Sequence, residues 1–198
     1  MGDHCIERNV DECVSKGAAQ SEVDTCLGKK DFEGVRACLE GNVHAAGHGG
    51  VGGQMTNVFS SPGDPLFYLH HAWLDKLWAQ WQDVDRPARL TDISGPNVGF
   101  LSGADAEFAE FATTALMTGD GTGNGNGTGV GDSACSSFPP FTPPSATRAQ
   151  FRAAGSVPGD PGEETTLGHV LTTYGMVDDI TVGDVMDTTG GYLCYEYV

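Results

Sequence analysis

The stretch SSPGDPLFYLHHAWLDKLWAQWQ, residues 60–82, constrains the fold more than any other part of the chain. Asp64 suits a helix N-cap and Pro65 suits the first helical position. Phe67, His70/His71, Leu74, Leu77/Trp78 and Trp81 then recur at helical spacing. The pattern predicts one amphipathic helix that runs to about Gln82 and stops before Pro87. Such an apolar stripe must pack on another element. Two adjacent histidines lie in it. Neighbouring helical positions point about 100° apart, so both rings do not easily serve one site. Periodicity leaves His70 and His71 equivalent.

The chain has six histidines, His4, His44, His48, His70, His71 and His169, and four of them fall between residues 44 and 71. His44 and His48 stand at i, i+4, which puts both rings on one helical face. Two imidazoles so placed can share a metal ion. A third ligand from the following helix, His70 or His71, completes a three-histidine site with an open position, as catalytic metals require. Imidazole suits zinc, copper, iron and nickel alike, so spacing does not choose the metal. No HExxH glutamate is present, which leaves zinc-protease chemistry without its base. No cysteine stands between the histidines, which disfavours blue copper. Trp73, Trp78 and Trp81 read as core residues. His169 reads as a structural helix histidine, and His4 has no assigned role.

Around these residues the chain reads as one domain, 1–198. Residues 1–41 look helical but irregular, with glycine stops. A short helix carrying His44 and His48 should end in the glycine-rich turn, with five glycines between Gly47 and Gly53. Residues 84–103 read as loop, and 105–117 as a short helix or connecting segment. The low-complexity run TGDGTGNGNGTGVGD, 118–132, reads as a flexible loop insertion. TTLGHVLTTYGMV reads as a last helix, followed by strand-like and turn-like pieces. The formal net charge of -17 argues against nucleic acid and anionic membranes as partners. No window approaches the apolar length of a membrane span. Six cysteines without a CxxC pair exclude zinc-ribbon spacing and suggest disulfides in an oxidising compartment, against buried free thiols.

HAAGHGGVGGQM, followed by SSPGDPLFYLHHAWLDKLWAQWQ, resembles the second copper-binding half of tyrosinases and catechol oxidases, close to the fungal forms. The shared pattern is the i, i+4 histidine pair, a GG-x-M turn, then D-P-x-F-x-x-H-H-x-x-x-D-x-x-W-x-x-W-Q. The end, DVMDTTGGYLCYEYV, is similar to the close of that family's catalytic domain, with its Tyr-x-Tyr motif at Tyr195 and Tyr197. The resemblance implies a mainly α fold: half of a tyrosinase-type four-helix bundle, with long loops and few short strands. It implies copper on His44, His48 and His71, with His70 beside the ligand in the second layer. Asp75, one turn after His71, is the candidate to orient a ligand imidazole.

The implied activity is type-3 copper oxidation of o-diphenols to o-quinones with dioxygen. The family's asparagine after the first ligand, associated with monophenol hydroxylation, is Ala45 here, which favours diphenols. The family's chemistry needs two coppers, each on three histidines. Only His4 precedes His44, so the chain is expected to hold the second copper site alone, to bind at most one copper, and to lack an N-terminal half. Secretion is expected from family and cysteine usage, although no signal peptide is visible. Two other readings stand beside this one. The first is a non-catalytic single-metal or oxygen-binding, hemocyanin-like module. The second is a structural all-histidine zinc site.

Overall fold

The structure is a computed structural model that describes residues 5–57, 59–95 and 164–198. The 105–117 segment, the glycine-rich 118–132 run, Cys135 and His4 lie outside the described residues. The described chain is mainly helical, with one two-stranded ribbon. Among the described residues no helix is long and apolar enough to cross a membrane. The chain divides into two compact units. The first holds described residues from 5–26 and 38–74, the second from 27–37, 75–95 and 164–198.

The first unit opens with an extended strap, residues 7–11. Asp11 ends it by accepting from the Cys13 and Val14 amides (2.9 and 3.0 Å), which caps α1 (Glu12–Ser15). A 3-10 turn, Lys16–Ala18, leads to α2 (Gln20–Leu27). After α3 (Phe32–Cys38), all but the last residue of which belongs to the second unit, the chain continues as a π-helical segment, Leu39–His44, and on into α4 (Ala45–Val51). The expected stop at Gly41 is therefore passed. The two residues worst suited to an α-helix there, Gly41 and Asn42, sit inside the wide π turn instead. Cys26 and Cys38 form a disulfide, which bears out the oxidised reading of these two. Cys13 is also disulfide-bonded, whereas Cys5 and Cys194 are free and exposed.

Val23, Cys26, Leu39, Val43, Ala46 and Met55 form the apolar centre of this unit, with Val43 and Cys26 fully buried. The α1 helix packs on α4. Gly52 (φ 68°) ends α4, and Gly53 (φ 55°) follows in the same left-handed region. The strap crosses this turn. Asn9 and Asp11 donate to the Val51 and Gly50 carbonyls (3.0 and 2.9 Å), and Gln54 donates to Glu7 (3.0 Å). A Cβ on Gly52 or Gly53 would sit 2.1 Å from strap carbonyl oxygens, so the crossing needs glycine at both positions.

The predicted long helix is α5 (Pro65–Asp83), with bounds close to those read from sequence. Asp64 caps it by accepting from the Leu66 amide at 2.9 Å. Asp64 is also fully buried, and Arg8 of the strap grips it with two hydrogen bonds, 2.9 and 2.7 Å.

In the second unit Trp81 is fully buried and donates to the Lys29 carbonyl at 2.8 Å, with the Arg89 guanidinium 4.3 Å over its ring. Phe32 meets Trp78 edge-on, and Trp78 stacks with Trp81. Gln82 is buried and donates to the Met186 carbonyl. The expected loop from residue 84 contains a short helix, α6 (Arg86–Arg89), with proline in its first turn.

The expected last helix is absent. Residues 165–177 form turns and β1 (Val170–Leu171), which pairs antiparallel with β2 (Ile180–Thr181). Gly168 and Gly175 leave six residues between them, three of them β-branched, which is too short a run to nucleate a helix. His169 accordingly lies in a loop before β1, not on a helix. Tyr174 and Gly175, both at positive φ, turn the ribbon.

The Arg8 hydrogen bonds hold the Asp64 carboxyl below the usual carboxylate range against its own burial. Its contribution to stability is therefore intact above about pH 4 and is lost as the pH falls through the lowered value. Asp64→Asn keeps the capping oxygen and removes the charge. Urea unfolding as a function of pH should show the variant less stable at neutral pH, with a shallower loss below about pH 4 than the parent.

Candidate metal centre

His44 closes the π-helical segment, His48 lies in α4, and His70 and His71 lie in the second turn of α5. All four are half-buried. Their six ring-centroid separations fall between 4.6 and 5.6 Å. Six near-equal separations among four points place the rings at the corners of a rough tetrahedron. Both members of the His-His pair therefore reach the cluster, although adjacent positions diverge on an ideal helix.

Gly47 makes this possible. A Cβ there would sit 2.1 Å from Cε1 of His70, so the His70 ring lies directly on the backbone of α4. Phe67 covers the other side, with its ring 4.0 Å from that of His71. Trp73 is half-buried, 6.1 Å from His70 between ring centres.

Each imidazole uses one nitrogen on the protein. His48 Nδ1 donates to the Met55 carbonyl (2.7 Å), and His71 Nδ1 donates to the Phe67 carbonyl (2.8 Å). A carbonyl only accepts, so both Nδ1 atoms carry the proton and both Nε2 atoms present a lone pair. His44 turns Nδ1 toward Glu40, 3.7 Å from its carboxylate. His70 is wired the other way: its Nε2 donates to the His44 carbonyl at 3.1 Å, leaving Nδ1 with the lone pair. Asp75 accepts from the Tyr195 and Tyr197 hydroxyls, while the second nitrogen of His71 belongs to the Phe67 carbonyl one turn back.

Burial pushes the His44 imidazole down to about 3, helped by the neighbouring imidazoles. It pushes His70 down to about 4, and it lowers His48 as well. Neutral rings with free lone pairs are what a metal ion requires. Nitrogen atoms of His44, His48 and His70 all lie within 4.8 Å of one another. The donor set fits copper or another imidazole-loving metal, with backbone carbonyls fixing the tautomers.

Reasoning on the sequence found the four histidines but missed Gly47 and the Met55 and Phe67 carbonyls. Gly47 leaves a usable signal, a glycine between two histidines on a helix that must admit a neighbouring ring. The carbonyl partners leave none, because every residue offers the same acceptor.

Residues 1–84 match the family described as the common central domain of tyrosinase. Tyrosinase P of Aspergillus terreus is 34% identical over 100 residues, which cover 46% of this chain and 28% of that protein. The tyrosinase of Streptomyces lincolnensis is 49% identical over 93 residues, 40% of this chain and 34% of its own. The tyrosinase-like protein phomQ1 of Diaporthe leptostromiformis is 27% identical over 205 residues, 99% of this chain and 39% of its own. The chain thus spans between 28% and 39% of the length of these relatives. No solved structure matches.

Gly47→Ala replaces a poor helix former with the best one, a gain of about 1 kcal/mol by propensity alone. The His70 overlap should reverse that sign. Thermal unfolding of the variant should show net destabilisation, and the His70 ring resonances should shift.

Proposed function

Because this chain belongs to the tyrosinase family, a family of type-3 copper oxidases, we propose that the histidine cluster is one copper site of an enzyme oxidising o-diphenols to o-quinones with dioxygen. The ligands are His44, His48 and His71, and His70 packs against them. The observation that carries this assignment is the wiring of the rings: His48 and His71 both spend Nδ1 on backbone carbonyls, which leaves Nε2 of each ring as the lone-pair nitrogen. Copper bound there supplies one-electron redox chemistry.

The chain's own residues do the rest. The carbonyls of Met55 and Phe67 hold the protons at Nδ1, so in each neutral ring Nε2 is the nitrogen left to bind. Phe67 packs on the His71 ring and restricts its rotation. The His44 side chain is 25% exposed, which leaves a small phenol a route to the cluster. Ala45 offers no side-chain proton acceptor beside His44, which favours o-diphenols over monophenols.

A two-copper reaction needs a second three-histidine set. The remaining histidines, His4 and His169, are too few to form it, so we assign it to another segment or chain. The disulfide at Cys26 and Cys38 supports an oxidising, extracellular location. The non-catalytic single-metal reading draws support from one observation, the approach of a His70 nitrogen to those of His44 and His48. A fourth imidazole on the ion would close the open position that oxidation needs.

Copper loading followed by metal analysis tests the assignment. The parent should hold one copper per chain, and His48→Ala and His71→Ala should hold none. His70→Ala should keep its copper, with affinity lowered by no more than about tenfold. Copper kept by His71→Ala and lost from His70→Ala would reverse the ligand assignment. Two coppers per chain would overturn the half-site reading.

A further inference from the structure

The strap at residues 7–11 touches both helices that carry the imidazoles. Its backbone is bonded to the last turn of α4, through the Gly50 and Val51 carbonyls, and to Gln54 just beyond. Its one basic side chain, Arg8, reaches the other helix. The guanidinium takes both oxygens of Asp64, one of which also accepts the Leu66 amide at the start of α5. Phe67, the next residue, donates its amide to the Asp64 carbonyl and provides the carbonyl that orients His71. On the α4 side, Met55, which orients His48, lies two residues beyond the glycine turn that the strap crosses, next to the strap-bonded Gln54.

A bidentate grip fixes angle as well as distance, which a single charge contact does not. Asp64 is fully buried, so its carboxylate has no solvent to turn to if the guanidinium is removed. Loss of Arg8 therefore frees the first turn of α5 while leaving the backbone bonds of the strap in place. The imidazoles of α5 would then shift against those of α4. Metal sites are sensitive to displacements of this kind, because ligands must converge to within a few tenths of an ångström.

We propose that Arg8 is a positioning residue for the metal site: through Asp64 it ties the start of α5 to the strap that is fastened on the end of α4, and so sets the spacing of the two histidine pairs. The proposal rests on the reading of the histidine cluster as a metal site.

The test uses the full chain with Co2+ as the probe, since its visible bands report both occupancy and ligand geometry. The parent, Arg8→Gln, Arg8→Lys and the core variant Val23→Ala are compared, with circular dichroism to establish that each is folded at the temperature of titration. Arg8→Gln should bind Co2+ about tenfold more weakly than the parent and show altered bands, and Arg8→Lys, which cannot form the fork, should recover only part of the loss. Val23→Ala should lower the unfolding temperature while keeping the parent's affinity and spectrum. Folded Arg8→Gln with affinity within about twofold of the parent and superimposable bands would overturn the proposal. So would a matching loss of affinity in Val23→Ala, because it would reduce Arg8 to general stability. Should Arg8→Gln fail to fold, Arg8→Lys decides by the same criteria. A parent chain that binds no Co2+ overturns the metal-site reading and this proposal together, whereas binding by the parent with no effect at Arg8 overturns this proposal alone.

Discussion

Four imidazoles can share one half-buried volume only if each is neutral and each finds an acceptor for its remaining N–H. Protonated rings at 5 Å would repel one another in a medium that screens poorly, and an unbonded N–H there would cost about 1–3 kcal/mol. Backbone and burial do most of this. Met55, Phe67 and His44 provide carbonyl acceptors for His48, His71 and His70, and burial disfavours the charged forms of His44, His48 and His70. Much of the first unit follows from this requirement. The segment after α4 must fold back to bring the Met55 carbonyl under His48. The two helices must come close enough for His70 to reach a main-chain oxygen of the opposite one, which only glycine at position 47 allows.

That closeness works against helix propensity. Gly47, Gly49 and Gly50 all lie inside α4, and each costs about 1 kcal/mol relative to alanine. The helix forms because its glycines are contact surfaces. Gly47 receives the His70 ring, and Gly50 receives Ser15 of α1. The π-helical turn before it is of the same kind. It is a rare geometry that concentrates at functional sites, and here it ends on His44. Tertiary contacts, not local preference, hold the histidine-bearing segment in shape.

This explains what was legible in the sequence. The α5 helix was readable because its signals are local: a capping aspartate, a proline at the first position and an apolar repeat. The i, i+4 histidine pair was readable for the same reason. Arg8 was not, because its partner lies 56 residues away and an isolated arginine in a strap has no pattern. The TTLGHVLTTYGMV segment misled because its apolar spacing is compatible with a helix, whereas β1 is decided by pairing with β2 about ten residues on. The Tyr-x-Tyr motif was visible only through family likeness. Its physical content is a clamp within the second unit, where both hydroxyls converge on the Asp75 carboxylate and Lys76 donates to the Val198 carbonyl.

The neighbouring histidines of α5 show how two geometric criteria can point apart. Atom proximity groups His70 with His44 and His48. Hydrogen-bond polarity groups His71 with His48, since both give Nδ1 to a carbonyl and keep Nε2. The second criterion carries more weight. A separation of a few ångströms changes with a small turn about a side-chain bond, whereas which nitrogen holds the proton is set by main-chain atoms. His70 is also committed elsewhere, since its bond to the His44 carbonyl runs across from α5 to the segment bearing His44 and His48. Drawing His70 Nδ1 onto an ion would pull on that bond and on the ring's seat over Gly47. His71 can engage an ion without disturbing either, because its anchor lies one turn back on its own helix. The adjacent rings thus differ in their ties: His70 joins the two helices, and His71 is anchored on its own helix alone.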